Sequence, residues 1–462
     1  MGFNLNKRYQ YIFLFIIFFG SVFNGSNSDL LIQINFVLFS GLFLFLIQDV
    51  NKRQFLIFFI KKNKRAVLLY LAFLLYLIFQ FLPLPIELIK IITPDHYKII
   101  NKLEFSSKIN FASISLNPSK TFFGFLNFLN IFIIILIAKT TFYKKNYIPR
   151  FLYCASLIGF IHAVIGIYLY LIGNPDFFIK EINAYKNSAT GLFVNRTNYA
   201  IFLVLTAIAS IQYIFEKNKK NLNVKKNKDI NLSVYVRCFL IFITIAIIVS
   251  LSRLGNFAYL LSIFFYILFS FFYSKENFNK ILFFFFILFL FDILILGLYF
   301  GSDRLFRRFL FLSTELNYST NTEHGNFLLS TVSRPDLFDF SLEQIKNYFY
   351  TGYGSGSYET LYKIKAVAIN SSYANHAHNE YLEYFGELGL IGICLLLILI
   401  FLFLKKLFYS AIITKRLDLN MFPVVIILLV FSMTSFFDFS LHIPSIMYLL
   451  VSFFCICSPQ KI

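Results

Sequence analysis

Apolar and polar residues are segregated along this chain into long blocks rather than amphipathic stripes. Apolar runs recur near residues 9–24, 30–49, 66–84, 121–138, 151–172, 197–215, 234–250, 255–273, 279–300, 380–404, 421–438 and 444–458. Blocks of this length predict about twelve membrane-spanning helices. The run Phe55–Ile60 is too short to cross and is expected at the interface. The first block follows Lys7 and Arg8 without a convincing small-x-small cleavage site, so it reads as a first helix rather than a leader. One polar interruption, residues 301–379, separates the ninth block from the tenth. At roughly 80 residues it exceeds an ordinary connection, and such loops are functional or disordered. Its helical and aromatic content favours a folded piece. The expected fold is therefore an all-α polytopic membrane protein. Helices 1–9 occupy residues 1–300, a loop domain 301–379, and helices 10–12 residues 380–462.

Composition agrees with this pattern. Of 462 residues, 58% are hydrophobic and 14% charged, against about a quarter charged in soluble domains. The formal net charge of +19 would suggest nucleic acid in a soluble protein. Here the basic residues concentrate in the short connections after the even-numbered blocks: Lys52 to Arg65, Lys139 to Arg150, Lys217 to Lys228, Lys275 and Lys280, and Lys405 to Arg416. Basic short loops stay in the cytoplasm, so the charge speaks for membrane orientation and not for nucleic acid. Both termini then lie inside. Residues 85–120, 173–196, 250–255 and 301–379 face outward, which in a Gram-negative inner membrane means the periplasm. None of the five cysteines has metal or disulfide-framework spacing.

Candidate chemistry collects on that outer side. His376-Ala-His378-Asn379-Glu380 ends the long loop and runs into the tenth helix. A histidine titrates near pH ~6.5 and can exchange a proton at neutral pH. At 100° per residue Glu380, Glu383 and Glu387 share one helix face, and Gly386, Gly389 and Gly392 lie roughly opposite, open to close approach by another helix. Arg196 and Arg253 stand at outer helix mouths. A guanidinium fork suits phosphate oxygens, and two could hold a diphosphate without a metal. At such mouths an arginine more often snorkels to lipid headgroups. Ser333-Arg334-Pro335-Asp336 reads as a helix start, with the helix running to Asn347. The glycines of Gly352-Tyr-Gly-Ser-Gly356 permit a close backbone approach. As a phosphate cradle this stretch is weak, because no lysine follows. His376 reads as structural. The pair His376 and His378 has no clear third ligand, so no metal and no cofactor are expected. His162 reads as a packing group inside the fifth span. A transporter or flippase would want ionisable groups along the spans, where Asp292 and Glu387 are among the few.

These segments resemble the O-antigen ligase and O-antigen polymerase superfamily. His378-Asn379, nine residues, Gly389, two residues, Gly392 is similar to its His-Asn-x9-Gly signature. Asn195-Arg196-Thr-Asn198, Ser252-Arg253, and Arg334 followed by Gly352 to Gly356 are similar to further elements of that family, although Leu254 stands before Gly255 in the second. The resemblance covers residues 185–400; the first five spans match only in general character. It implies a metal-independent glycosyltransferase that takes a polyprenyl-diphosphate-linked glycan as donor. Lipid A-core or another glycan would be the acceptor. By the same resemblance Arg196 and Arg253 hold the diphosphate, Arg334 and Asn379 contact substrate, and His378 activates the acceptor hydroxyl. A ligase is preferred; a polymerase shares the chemistry and stays open.

Overall fold

A computed structural model describes residues 2–102, 109–175, 185–221, 227–273, 334–366, 374–414 and 421–458, with isolated positions between 282 and 290. The described chain is helical apart from one two-residue strand pair, β1 (Leu84–Pro85) against β2 (Phe111–Ala112), antiparallel with Leu84 opposite Ala112. The helices are α1 (Gly2–Val22), α2 (Asp29–Gln48), α3 (Val50–Lys62), α4 (Lys64–Phe81), α5 (Ile86–Ile92), α6 (Pro94–Asn101), α7 (Pro118–Thr141), α8 (Ile148–Leu171) and α9 (Arg196–Asn221). After them come α10 (Asn227–Val249), α11 (Arg253–Tyr273), α12 (Arg334–Asn347), α13 (Tyr358–Lys365), α14 (Glu380–Thr414), α15 (Phe422–Thr434) and α16 (Pro444–Ile456).

Among the described residues, eight helices are long and apolar enough to cross a membrane; α15 and α16 are apolar but shorter. The chain is thus an all-α polytopic membrane protein. The expected span at 279–300 and the loop up to residue 333, Ser333 included, lie outside the described residues. The short run Phe55–Ile60 is part of a regular helix, α3. Residues 85–120, read simply as a loop, carry α5, α6 and the strand pair. A helix is described from Arg334 to Asn347, ending where the sequence predicts; its start at Ser333 lies outside the described residues.

Helix α9 is the centre of the bundle. Its membrane window is almost wholly buried, and α8, α10, α11 and α15 pack around it. Lipid tails are as apolar as leucine, so association rests on close fit and satisfied polar groups. At the start of α9 a Cβ on Gly255 of α11 would lie 2.3 Å from Ala200 Cβ, which measures how closely the two helix ends meet. Ser252 donates to the Thr197 hydroxyl at 3.2 Å across the same junction.

A second junction fixes α14. Its first turns are crossed by the turn Phe349–Gly354, which follows α12. Leu390 donates to the Phe349 carbonyl at 2.8 Å, Tyr353 to Gly386 at 3.0 Å and Gly354 to Glu387 at 3.1 Å. From α4, the Gln80 amide donates to the Thr351 and Glu387 carbonyls at 2.8 and 2.9 Å. The Tyr76 hydroxyl is shared between Thr351 and Leu388 at 2.7 and 2.8 Å. Carbonyls freed by a break in a membrane helix need such partners. The break is at Gly389, whose φ of 62° and ψ of −177° leave the helical region. The glycines of α14 therefore serve a different purpose from the expected helix packing. Gly389 and Gly352 let two backbones cross, Gly386 faces the Tyr353 ring, and only Gly392 meets a helix, at Tyr76.

Candidate functional site

The crossing delivers one face of α14 to the site. Glu380, Glu383 and Glu387 do share that face, and each is almost completely buried. Burying carboxylates is costly unless partners satisfy them. Glu383 finds His376, whose Nδ1 lies 2.6 Å from Oε1, and the Ala377 N–H, which donates to Oε2 at 2.8 Å. Glu380 finds His442, with Nδ1 2.7 Å from Oε2, and accepts a short bond from the Leu441 N–H. Glu387 is different. Among the described residues neither of its oxygens has a hydrogen-bond partner. His442 Nε2 faces it at 3.7 Å and faces Glu383 at 3.6 Å.

Two aromatic rings set the imidazoles. Phe439 stacks on His376 at 4.0 Å with planes 10° apart and meets His378 edge-on at 5.0 Å. Tyr384 stacks on His442 at 4.3 Å. Burial alone would push the His442 imidazole down, but Tyr384, Glu383 and Glu380 outweigh it and hold the group well above its usual pKa.

His378 occupies the turn before α14. Its φ is +52°, a left-handed conformation that costs a non-glycine residue on the order of 1 kcal/mol or more. The strain is held by both neighbours. Ala377 is pinned to Glu383, while Asn379 caps α14 by accepting from Leu382 N–H at 3.1 Å and donates to the Phe436 carbonyl at 3.2 Å. The His378 Nδ1 faces Asp438 Oδ1 at 3.9 Å. Burial, then the positive charge of Arg334 and the neighbouring His376, depress the His378 pKa to about 4, so its imidazole is neutral at pH 7. Burial raises the Asp438 carboxyl, against the Ser440 hydroxyl, the Phe439 N–H, Arg334 and His376.

The segment 435–442 links this turn to the arginine-bearing helices. Ser440 donates a short bond to Asp438, and it lies 3.3 Å from the Asn198 side-chain oxygen, 242 residues away in sequence. Asn198 is two residues from Arg196, and its neighbour Thr197 is tied to Ser252, beside Arg253. Arg196 also stands over the Tyr185 ring at 5.3 Å. Side-chain contacts thus link the starts of α9 and α11 and the segment after α15, and the charge of Arg334 reaches both His378 and Asp438. The glycine run at 352–356 is occupied with backbone packing. A Cβ on Gly354 would strike Ser115 Oγ at 2.2 Å, and the phosphate-cradle reading has no support here.

Sequence reasoning missed Asp438 and His442. Asp438 falls at the end of an apolar block, and His442 sits in a short polar turn without a motif. The available signal was the acidic face of α14 itself, because three buried carboxylates require donors from a neighbouring element. His376, read as structural, proves to be tightly held by Glu383.

Comparison with known proteins gives one family. Residues 238–397 match the family described as O-antigen ligase. The match takes in Arg253, Arg334, His378 and Asn379; Arg196 precedes it, and Asp438 and His442 follow it. No curated protein matches the chain.

Proposed function

From a chain that belongs to the O-antigen ligase superfamily through residues 238–397, we propose an inner-membrane glycosyltransferase with its active site on the periplasmic face. It moves a glycan from a polyprenyl-diphosphate carrier to an acceptor hydroxyl, most simply on lipid A-core. What supports this reading is that the matched segment contains His378, Arg253 and Arg334, and that Ser252 within it donates to Thr197, the residue after Arg196.

In this reaction the acceptor oxygen attacks the anomeric carbon. The bond from that carbon to the phosphate oxygen breaks, and polyprenyl diphosphate leaves. Direct displacement inverts the anomeric centre. The acceptor proton passes to the neutral imidazole of His378, a general-base contribution of about 10²–10⁴-fold. Asp438 faces the ring and favours the cation formed. Arg196 and Arg253 carry the charge that develops on the leaving diphosphate, a role that fixed donors fill without reorganisation. Arg334 and Asn379 position substrate and the His378 turn. The transfer step itself draws on no metal.

The test is reconstitution of the purified chain in nanodiscs with lipid-linked glycan and lipid A-core. Transfer to the core is the expected result. Extension of the lipid-linked glycan instead would identify a polymerase. Neither product, from a chain that still binds donor, would end the proposal.

A further inference from the structure

Glu383, Glu387 and His442 present one ligand atom each within 4.8 Å of one another. We propose that they form a binding site for a single divalent cation of the zinc type, which ties α14 to the segment after α15. The site adjoins the His378 turn, which Glu383 holds through Ala377, but its test by metal binding does not depend on the transfer reading.

Three observations point to it. The first is a buried carboxylate without a hydrogen bond: Glu387 is 1% exposed, and among the described residues neither oxygen is hydrogen-bonded. A buried carboxylate left in that state costs more than a well-packed apolar residue would, unless a positive charge faces it. The second is the direction of His442. Its Nε2 is buried and without a hydrogen bond, and it faces the gap between Glu383 Oε1 and Glu387 Oε2 at 3.6 and 3.7 Å. Those separations are too long for hydrogen bonds. They are close to the ligand–ligand distances of about 3.3 Å that follow from a tetrahedral ion with bonds of about 2.0–2.1 Å. The third is the orientation of the ring. Its other nitrogen is held at 2.7 Å by Glu380, and Tyr384 covers its face. Metal-bound histidines are commonly fixed by a carboxylate on the second nitrogen in this way, which sets the tautomer.

The donor set selects the class of ion. One imidazole with two carboxylates suits zinc and its first-row neighbours better than calcium or magnesium, which prefer oxygen alone. On binding, His442 acts as a neutral ligand through Nε2. Any proton on that nitrogen leaves to solvent. The fourth position is left for water.

The experiment uses the full-length, tag-free chain in nanodiscs. It is stripped with a chelator and titrated with Zn²⁺ by calorimetry. One equivalent should bind. His442→Ala and Glu387→Gln should each weaken binding at least 100-fold, and His96→Ala and His162→Ala should leave it unchanged. X-ray absorption on the zinc-loaded wild-type chain, which depends on no variant, should report one imidazole among oxygen ligands. Absence of saturable one-equivalent binding by the wild-type chain overturns the site and leaves His442 as an imidazolium among carboxylates. So does a sulfur-bearing or multi-histidine shell, or a Glu387→Gln chain that binds as the wild type does.

Discussion

His378 and Asp438, 60 positions apart in sequence, face each other at 3.9 Å, Nδ1 to Oδ1, from the two ends of a stretch that contains α14 and α15. The distance is longer than a hydrogen bond, so under the proposed function Asp438 would act only on the imidazolium that forms when His378 takes the proton. His378→Ala is expected to lower single-turnover transfer by at least about 10²-fold while lipid-linked donor still binds, because a base interacts mainly in the transition state. Asp438→Asn should lower it by about 10-fold, a part of the same contribution. Near-normal transfer by His378→Ala would remove the proposed base.

Acid should affect this site at a lower pH than an ordinary histidine would suggest. The imidazole is held at about 4 in the folded chain, against about 6.5 unfolded. Its neutral form contributes stability that is fully present above pH ~6.5 and is lost as pH falls toward 4, because the unfolded chain takes up the proton first. The acidic limb of the transfer rate should therefore lie near pH 4 rather than 6.5. Arg334→Gln removes a positive charge near the ring and should move that limb upward. A limb at 6.5 in the wild type, unmoved by Arg334→Gln, would contradict the assignment.

The arginines should separate from the histidine in binding. Arg196→Lys and Arg253→Lys keep the charge and lose the planar fork, which is not conservative at a bidentate site. Each should weaken donor affinity by about 10-fold and reduce transfer as well. Unchanged donor affinity in both variants, measured by titration in nanodiscs, would remove the diphosphate clamp.

At the backbone crossing, glycine is required by geometry. A Cβ on Gly352 would sit 2.2 Å from the Glu387 carbonyl oxygen, and one on Gly389 would sit 2.3 Å from the Gly352 nitrogen, with φ of 69° and 62°. Gly352→Ala and Gly389→Ala should each destabilise by about 2 kcal/mol or more. Gly41, with nothing within 4 Å, lies within helix α2 and should accept alanine at no cost. Thermal unfolding in one detergent compares the three, and equal midpoints would refute the crossing.

Orientation can be checked in a background without reactive cysteines. Lys98→Cys in α6 should label from the periplasm, and Lys145→Cys before α8 should not. The reverse pattern would strand His378 on the cytoplasmic side.

Much of this was readable in the chain because membrane helices carry their signal locally. The apolar blocks at α2, α4 and α7 to α11 declare themselves by length, and Arg334-Pro335-Asp336 marks a helix start by residue type. The His378 turn drew attention through its spacing to Gly389 and Gly392. Asp438 and His442 were not, because their meaning depends on a helix 50 to 60 positions earlier. Nothing near them in sequence distinguishes them from polar residues in a short outer turn. The glycines of α14 misled for the same reason: small residues on one helix face fit a neighbouring helix and a crossing loop equally well.

The last contact to form has a consequence for biosynthesis. Glu380 and Asn379 are satisfied by Ser435, Phe436, Leu441 and His442, and Asn198 meets Ser440. During synthesis, α14 leaves the ribosome before these partners exist. Glu380 must wait without these partners until the final hairpin of α15 and α16 is inserted, whereas Glu383 already has His376 and Ala377. A nascent chain stopped before residue 440 carries every arginine and histidine assigned to catalysis, yet cannot close the site around them. Under the proposed function, a chain without the α15–α16 hairpin would therefore be unable to transfer glycan, however complete its earlier helices.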